Sequence, residues 1–321
     1  MHELRKDYIF DRWVIVDTER AKRPRDFIKQ HPKINETGSC PFCPGSESMT
    51  PPEIARVEEN GEWVLRCFEN KFPAVTAEGG PAVKTSGEFF TSGNAFGRHE
   101  VIVETPLHKQ KFHELSAERI AKYLQLLFKR RDALYNVSGI KFVAMFKNHG
   151  LEAGTSLVHE HTQLIAYNKL PQNVEREIKE IAKYRRRLKK CPYCKVVELE
   201  RKGPRRIAEN GSFLAFTPYA SIFEFEAGIF PKAHVNHFSD LNEAELLQLA
   251  EMLKKLLSKL SELQAPFNIY FHEAPPGKKH HIHVKIVPRL ITWGGFEHCT
   301  GCIINTVSPE HAAEFFREEK D

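Results

Sequence analysis

One series of residues occurs twice in this chain of 321 residues, and it limits the possible folds more than any single motif does. Cys40-Pro41-Phe42-Cys43 is followed by an isolated His108, a helix-like stretch, a strand-like stretch and His159-Glu160-His161. Cys191-Pro192-Tyr193-Cys194 is followed in the same order by His234, a second such helix and strand, and His281-Ile282-His283. The apolar positions keep step. His108 has Phe112 and Leu115 four and seven residues on, and His234 has Phe238 and Leu241 at the same offsets. Leu115 and Phe142 are 27 residues apart; Leu241 and Phe267 are 26. Repetition on this scale marks a duplicated unit of sheet plus helix. The expected fold is α+β, with two fused repeats whose antiparallel sheets carry packed helices. The expected divisions are 1–170, a linking helix at 171–190, and 191–321.

Each copy holds two cysteines, one lone histidine and one histidine from His-x-His. Two thiolates and two imidazoles make a closed tetrahedral set for zinc. Cys40, Cys43, His108 and His159 are therefore expected to form one site. Cys191, Cys194, His234 and His281 form the other. The long gaps between ligands mean that each zinc would staple a knuckle to the sheet, a structural role. Six of the seven cysteines fall in Cys-x-x-Cys pairs, which reads as metal rather than disulfide; for a single pair, a redox dithiol is the rival. Cys299 and Cys302 have no histidines in register and are left without a metal.

The reaction is sought where the copies differ. Read as an extended strand, 158–165 places His159, His161 and Gln163 on one side. One imidazole can bind metal while the other keeps a ring nitrogen for attack on phosphorus. A half-buried strand with two satisfied histidines is the bland alternative. The loop before it, Asn148 to Ser156, includes Gly154, Thr155 and Ser156, residues suited to close approach by an anion. The second copy has Glu273, a Pro-Pro-Gly loop and Lys285 instead. His161 is thus the nucleophile candidate, aided by Gln163, and should face a cavity. His283 is expected to pack or to orient a neighbour.

Other features constrain less. No apolar run reaches the roughly 20 residues of a membrane span. The N-terminus lacks an apolar leader, so a cytoplasmic protein is expected. A net charge of +5 fits anionic substrates but decides little. Strands are expected near 11–17, 63–69, 140–146, 213–217, 222–230, 267–271 and 281–287, and 99–108 reads as strand, then turn, then histidine. Helices are expected at 116–135, 171–190 and 242–263, with a short one from Ser308-Pro309 and loops at 25–39 and 76–94. The cations at 20–25 make a solvated face or meet a phosphate. With the run at 184–190 they also suggest a zinc-stabilised nucleic-acid-binding module. Against it, the knuckles pair with His-x-His strands rather than groove-reading helices, and no nucleic acid is expected.

These motifs together resemble the galactose-1-phosphate uridylyltransferase family of the histidine-triad superfamily. The likeness runs from Arg20-Ala-Lys-Arg23-Pro through Cys40-Pro-Phe-Cys43, Asn70 with its Phe-Pro, and His108. It continues through the Asn148–Ser156 loop, His159-Glu-His161-Thr-Gln163 and Leu170-Pro171 to Gly295-Phe296-Glu297. The resemblance implies ping-pong nucleotidyl transfer in galactose metabolism. His161 would take a nucleotide from a nucleoside diphosphate sugar and pass it to a sugar 1-phosphate or to phosphate. It implies a homodimer in which Arg20, Arg23, Phe296 and Glu297 reach the partner's substrate, with Asn70 near the ribose. Uridylyl transfer from UDP-glucose to galactose 1-phosphate leads. Lys71 and the stretch Ile291 to Glu297, followed by Thr300-Gly301-Cys302, look more like a branch that transfers adenylate from ADP-glucose to phosphate. One branch resembles an iron site mapping to Glu177, His272, His281 and His283; Cys191 and Cys194 favour the zinc set here.

Overall fold

The structure, a computed structural model, describes residues 2–20 and 39–317. In chain order the strands are β1 (His2–Lys6), β2 (Trp13–Asp17), β3 (Glu53–Glu59), β4 (Glu62–Glu69), β5 (Val83–Ser86), β6 (Phe90–Gly93) and β7 (Gly97–Val103). Helix α1 (Ala117–Tyr135), β8 (Phe142–His149), β9 (His161–Tyr167), α2 (Gln172–Leu188) and α3 (Pro192–Glu200) follow. Then come β10 (Arg206–Glu209), β11 (Phe213–Phe216), β12 (Ala227–Pro231), α4 (Glu243–Leu260), β13 (Phe267–His272) and β14 (His283–Pro288). The last elements are α5 (Gly295–Thr300), β15 (Ile303–Asn305) and α6 (Pro309–Arg317).

Among the described residues, ten strands form one antiparallel sheet in the order β10-β11-β12-β14-β13-β8-β9-β7-β4-β3. The duplication is visible in that order. Counted outward from the junction, β8-β9-β7-β4-β3 answers β13-β14-β12-β11-β10. The two halves do not keep separate sheets: β8 and β13 pair directly, with Asn148 opposite Asn268. Helices α1 and α4 pack against each other and against the sheet, closing one continuous core.

Local chemistry explains the helices. Ser116 caps α1 by accepting from the Arg119 amide, and Asn242 with Glu245 makes a capping box on α4. On β9, Thr162, Leu164 and Ala166 are fully buried beneath α1, while His161, Gln163, Ile165 and Tyr167 turn to the other face. Burying a side chain the size of Leu164 contributes about 2 kcal/mol.

Several expectations needed correction. Residues 76–94 are not simply a loop: β5 and β6 form a hairpin in which Thr85 and Thr91 hydroxyls meet at 3.0 Å. All its strand positions are exposed, so there was no burial alternation to read. The second Cys-x-x-Cys opens a helix, α3, with Pro192 in its first turn, where its missing N–H costs nothing. Residues 295–300 form α5, and β9 begins at His161, leaving His159 in the bend before it. Strand β12 begins only at Ala227, and β1, β3, β10 and β15 were not anticipated. β15 runs parallel to β2, tying the two ends of the chain into a small second sheet. The 25–39 loop expectation falls outside the described residues, apart from Ser39.

Candidate active site

The first Cys-x-x-Cys turn delivers its thiols to two histidines from distant parts of the chain. Cys43 Sγ lies 3.3 Å from His108 Nδ1 and 3.6 Å from His159 Nδ1, and Cys40 Sγ lies 3.6 Å from the latter. All four ligand atoms fall within 4.8 Å of one another. The other face of His159 tests whether the set suits a metal. Its Nε2 is 2.7 Å from the Thr105 carbonyl, which can only accept, so Nε2 carries the proton and Nδ1 offers a lone pair to the thiols. The residues fit a tetrahedral metal such as zinc.

His161 is held the opposite way round. Its Nδ1 is 2.9 Å from the His159 carbonyl oxygen, so Nδ1–H donates and Nε2 keeps its lone pair. The Phe42 ring stands edge-on to both imidazoles, at 6.0 Å from His159 and 5.4 Å from His161. Burial pushes the His161 pKa down to about 4, which leaves the ring neutral at ordinary pH. The side chain is only 9% exposed and lines none of the described cavities. The expectation that His161 faces a cavity is therefore not met among the described ones; a space of about 80 Å³, bounded by Asn148, Thr155 and His159, does not reach it.

Beneath β9 lies a polar network that no sequence motif announced. Lys147 is buried between Glu104 and Glu160, with Glu104 at 2.7 Å, and its ammonium is 3.4 Å from the His161 carbonyl. Glu160 also meets His149 Nδ1 at 2.8 Å, and Tyr123 joins Glu104 through the Thr162 hydroxyl. Burial opposes the Lys147 charge, but the two carboxylates outweigh it and raise its pKa. Burial drives Glu104 up; for Glu160 the Lys147 and His149 partners win over burial and hold it down.

The phosphate-cradle candidates are gathered by the bend after β8. Gly154 takes a φ of +91°, a conformation that favours glycine. Asn268, from the second repeat, donates to the Ala153 carbonyl and to Asn148 Oδ1, each at 2.8 Å. That sets the Asn148 amide with its NH2 toward the Gly154 carbonyl, 3.4 Å away. Ser156 is exposed, but Thr155 is buried and gives its hydroxyl hydrogen to the Leu157 carbonyl, so it shapes the loop. Gln163 reaches His99 at 2.9 Å, and Asn70 Nδ2 is 3.2 Å from the same ring nitrogen. Neither His99 nor Asn268 was singled out from sequence. Their signal would have been a polar residue on the neighbouring strand, directly opposite for Asn268 and Asn148 and diagonal for His99 and Gln163.

The second Cys-His set also assembles: Cys194 Sγ is 3.4 Å from His234 Nδ1 and 3.3 Å from His281 Nδ1, with Cys191 beside them. His281 repeats the His159 arrangement, with Nε2 donating to the Pro231 carbonyl at 3.0 Å. The Glu177, His272, His281, His283 alternative is not gathered in this way. His281 turns to the thiols, and Glu177 groups instead with His280 and His283. His283 packs between the rings of Phe230 and His272, stacked at 4.6 and 4.7 Å. Two larger cavities, of about 480 and 370 Å³, lie on this side of the sheet, and His272 and Lys285 line both.

The remaining candidates lie elsewhere. Phe296 and Glu297 sit on α5, packed against β15 in the small sheet rather than on the strands around His161. Arg23 falls outside the described residues. Arg20 ends a short helical turn, Thr18–Arg20, and its side chain is likewise not described.

Comparisons with known proteins place the whole chain. Residues 1–171 match the family model for the galactose-1-phosphate uridyl transferase N-terminal domain. An ADP-glucose phosphorylase of Arabidopsis thaliana is 34% identical over 98% of this chain and 92% of its own length. A galactose-1-phosphate uridylyltransferase of Thermotoga maritima is 30% identical over 99% and 98%. A crystal structure of an ADP-glucose phosphorylase from Arabidopsis thaliana with bound ADP-glucose superposes with a TM-score of 0.85 at 31% identity, covering both chains fully.

Proposed function

The chain belongs to the galactose-1-phosphate uridylyltransferase family of enzymes, and from that membership we propose ping-pong nucleotidyl transfer through His161. The observation that carries the reading is the pair of opposed tautomers. His159 is fixed with Nδ1 toward the thiols, and His161 with Nε2 free. Nε2 attacks the α-phosphorus of a nucleoside diphosphate sugar, and the bond to the bridging oxygen breaks. The sugar 1-phosphate leaves with that electron pair. The nucleotidyl-imidazole is cationic, and its Nδ1–H remains on the His159 carbonyl. A phosphate oxygen of the acceptor then attacks the same phosphorus, and Nε2 departs neutral. Gln163, Asn148 and Ser156 offer donors to the phosphoryl oxygens. Zinc, when bound by Cys40, Cys43, His108 and His159, supplies a structural clamp, and a second occupies the Cys191 set.

The same reading takes 1–170 and 191–321 as the two repeats joined by 171–190. It also takes the enzyme to be a cytoplasmic homodimer. By the family likeness, the remaining wall of the site comes from a partner subunit, with Arg20, Arg23, Phe296 and Glu297 reaching across and Asn70 near the ribose. Two donors fit. The first reading is uridylyl transfer from UDP-glucose to galactose 1-phosphate. The second is adenylyl transfer from ADP-glucose to phosphate, favoured by Lys71 after Asn70 and by the higher identity to the Arabidopsis protein, 34% against 30%. Incubation with UDP-glucose and, separately, ADP-glucose without acceptor tests both. Intact mass should show a uridylyl or an adenylyl adduct that His161→Ala abolishes. An adduct with neither donor would refute the proposal.

A further inference from the structure

The orientation of the Gln163 amide follows from its neighbours. The Ala74 backbone N–H lies 3.2 Å from His99 Nδ1. A backbone amide can only donate, so Nδ1 holds a lone pair and the neutral ring carries its proton on Nε2. That nitrogen is 2.9 Å from the Gln163 side chain, which must therefore present its carbonyl oxygen, Oε1. Asn70 is not an alternative acceptor for that proton. Its Oδ1 accepts from the Phe72 amide at 2.9 Å, so its Nδ2, 3.2 Å from His99 Nε2, meets the ring donor against donor and makes no hydrogen bond there. A flipped Gln163 would bring a third N–H group to a cluster without an acceptor. The Gln163 amide nitrogen has no hydrogen bond among the described residues. Burial also keeps the His99 ring neutral by lowering its pKa, against the Gln163 bond.

We propose that His99 is a positioning residue for the transfer: it takes up the carbonyl end of Gln163 and so turns the amide NH2 toward the phosphoryl group at His161. This rests on the reading of Gln163 as a phosphoryl donor. His99 lies on β7, across from Ile165 and two pairs along from Gln163 on the same face, so the constraint is built into the sheet register. Without it, an amide of nearly symmetric shape would present its oxygen to the substrate in a large share of molecules, and an oxygen there repels a phosphate.

The test is a double-mutant cycle on the full chain, reading the single-turnover rate of adduct formation and its half-saturation with whichever NDP-glucose forms the adduct. His99→Met keeps bulk but loses both hydrogen bonds. It should lower the rate about tenfold, in the range of a weakened oxyanion donor, with little change in half-saturation. His99→Gln can still donate to Gln163 and should recover most of the rate. In a Gln163→Ala background, His99→Met should have no further effect. Where His99→Met does not fold, His99→Asn, polar but too short to reach Gln163, replaces it. A His99 variant with unchanged rate, or one whose loss persists undiminished without Gln163, would overturn the proposal. If Gln163→Ala alone is fully active, the donor reading fails, and the role of His99 with it.

Discussion

The ammonium of Lys147 and a carboxylate oxygen of Glu104 meet at 2.7 Å, with both side chains closed off from water. Glu160 shares the same cation. Removing one partner of a buried pair leaves a charge with nothing to neutralise it. Lys147→Met should therefore cost about 3–5 kcal/mol in denaturant unfolding. Adding Glu104→Gln should restore part of that loss. A double variant no more stable than the single would show that Glu104 is not the group Lys147 neutralises.

Asn268 controls Asn148 as His99 controls Gln163, but across the junction between the repeats. Asn268→Leu should leave Asn148 unoriented and lower turnover roughly tenfold, less than the loss of a whole oxyanion donor. Thermal melting tells this from unfolding, because the midpoint should move by only a few degrees.

The two Cys-His sets predict metal content. Elemental analysis should find about two zinc ions per chain, and Cys40→Ser or Cys191→Ser should each reduce that to about one. The sites should differ in consequence. Loss at Cys40 unclamps the segment that aims His161 and should cost at least about tenfold in turnover, while loss at Cys191 should act mainly on stability. Equal kinetic losses at both would contradict the assignment of the first repeat as the reactive one.

Glu310 in α6 joins Arg205 at 2.7 Å and Arg5 of β1 at 2.9 Å. Burial would raise its pKa, but the Arg205 and Arg5 hydrogen bonds outweigh it and hold the carboxyl below its ordinary value. A depressed carboxyl stabilises the fold above its unfolded pKa of about 4.3 and loses that contribution as pH falls through the lower folded value. Glu310→Gln should cost about 1–3 kcal/mol at neutral pH. The gap between the two melting curves should stay constant from pH 8 to about 5 and close below about 4.

What the sequence made legible was what repetition and spacing encode. Cys40, Cys43, His108 and His159 could be grouped because Cys191, Cys194, His234 and His281 recur in the same order, and the two long helices were expected at 116–135 and 242–263, where α1 and α4 lie. Contacts set by strand neighbours were hidden. Nothing in the order of residues says that β7 lies beside β9, so His99 could not be linked to Gln163, nor Asn268 to Asn148 before β8 and β13 were seen to pair. The Glu104–Lys147–Glu160 cluster was masked for a different reason: charged residues in alternating strands read as solvent-facing until α1 covers them. Phe296 and Glu297 were named through family likeness alone, and one chain does not bring them to His161.

The β8–β13 junction has a bearing on origins. Equivalent strands paired antiparallel are what a two-fold axis produces when two identical subunits meet edge to edge. A single-repeat ancestor could have built the same ten-stranded sheet as a symmetric pair, with both reactive histidines intact. Once fused, the halves were released from identity. Both copies still hold the second imidazole through Nδ1 on the carbonyl two residues back, but in one of them that ring lies stacked between Phe230 and His272 as part of the wall.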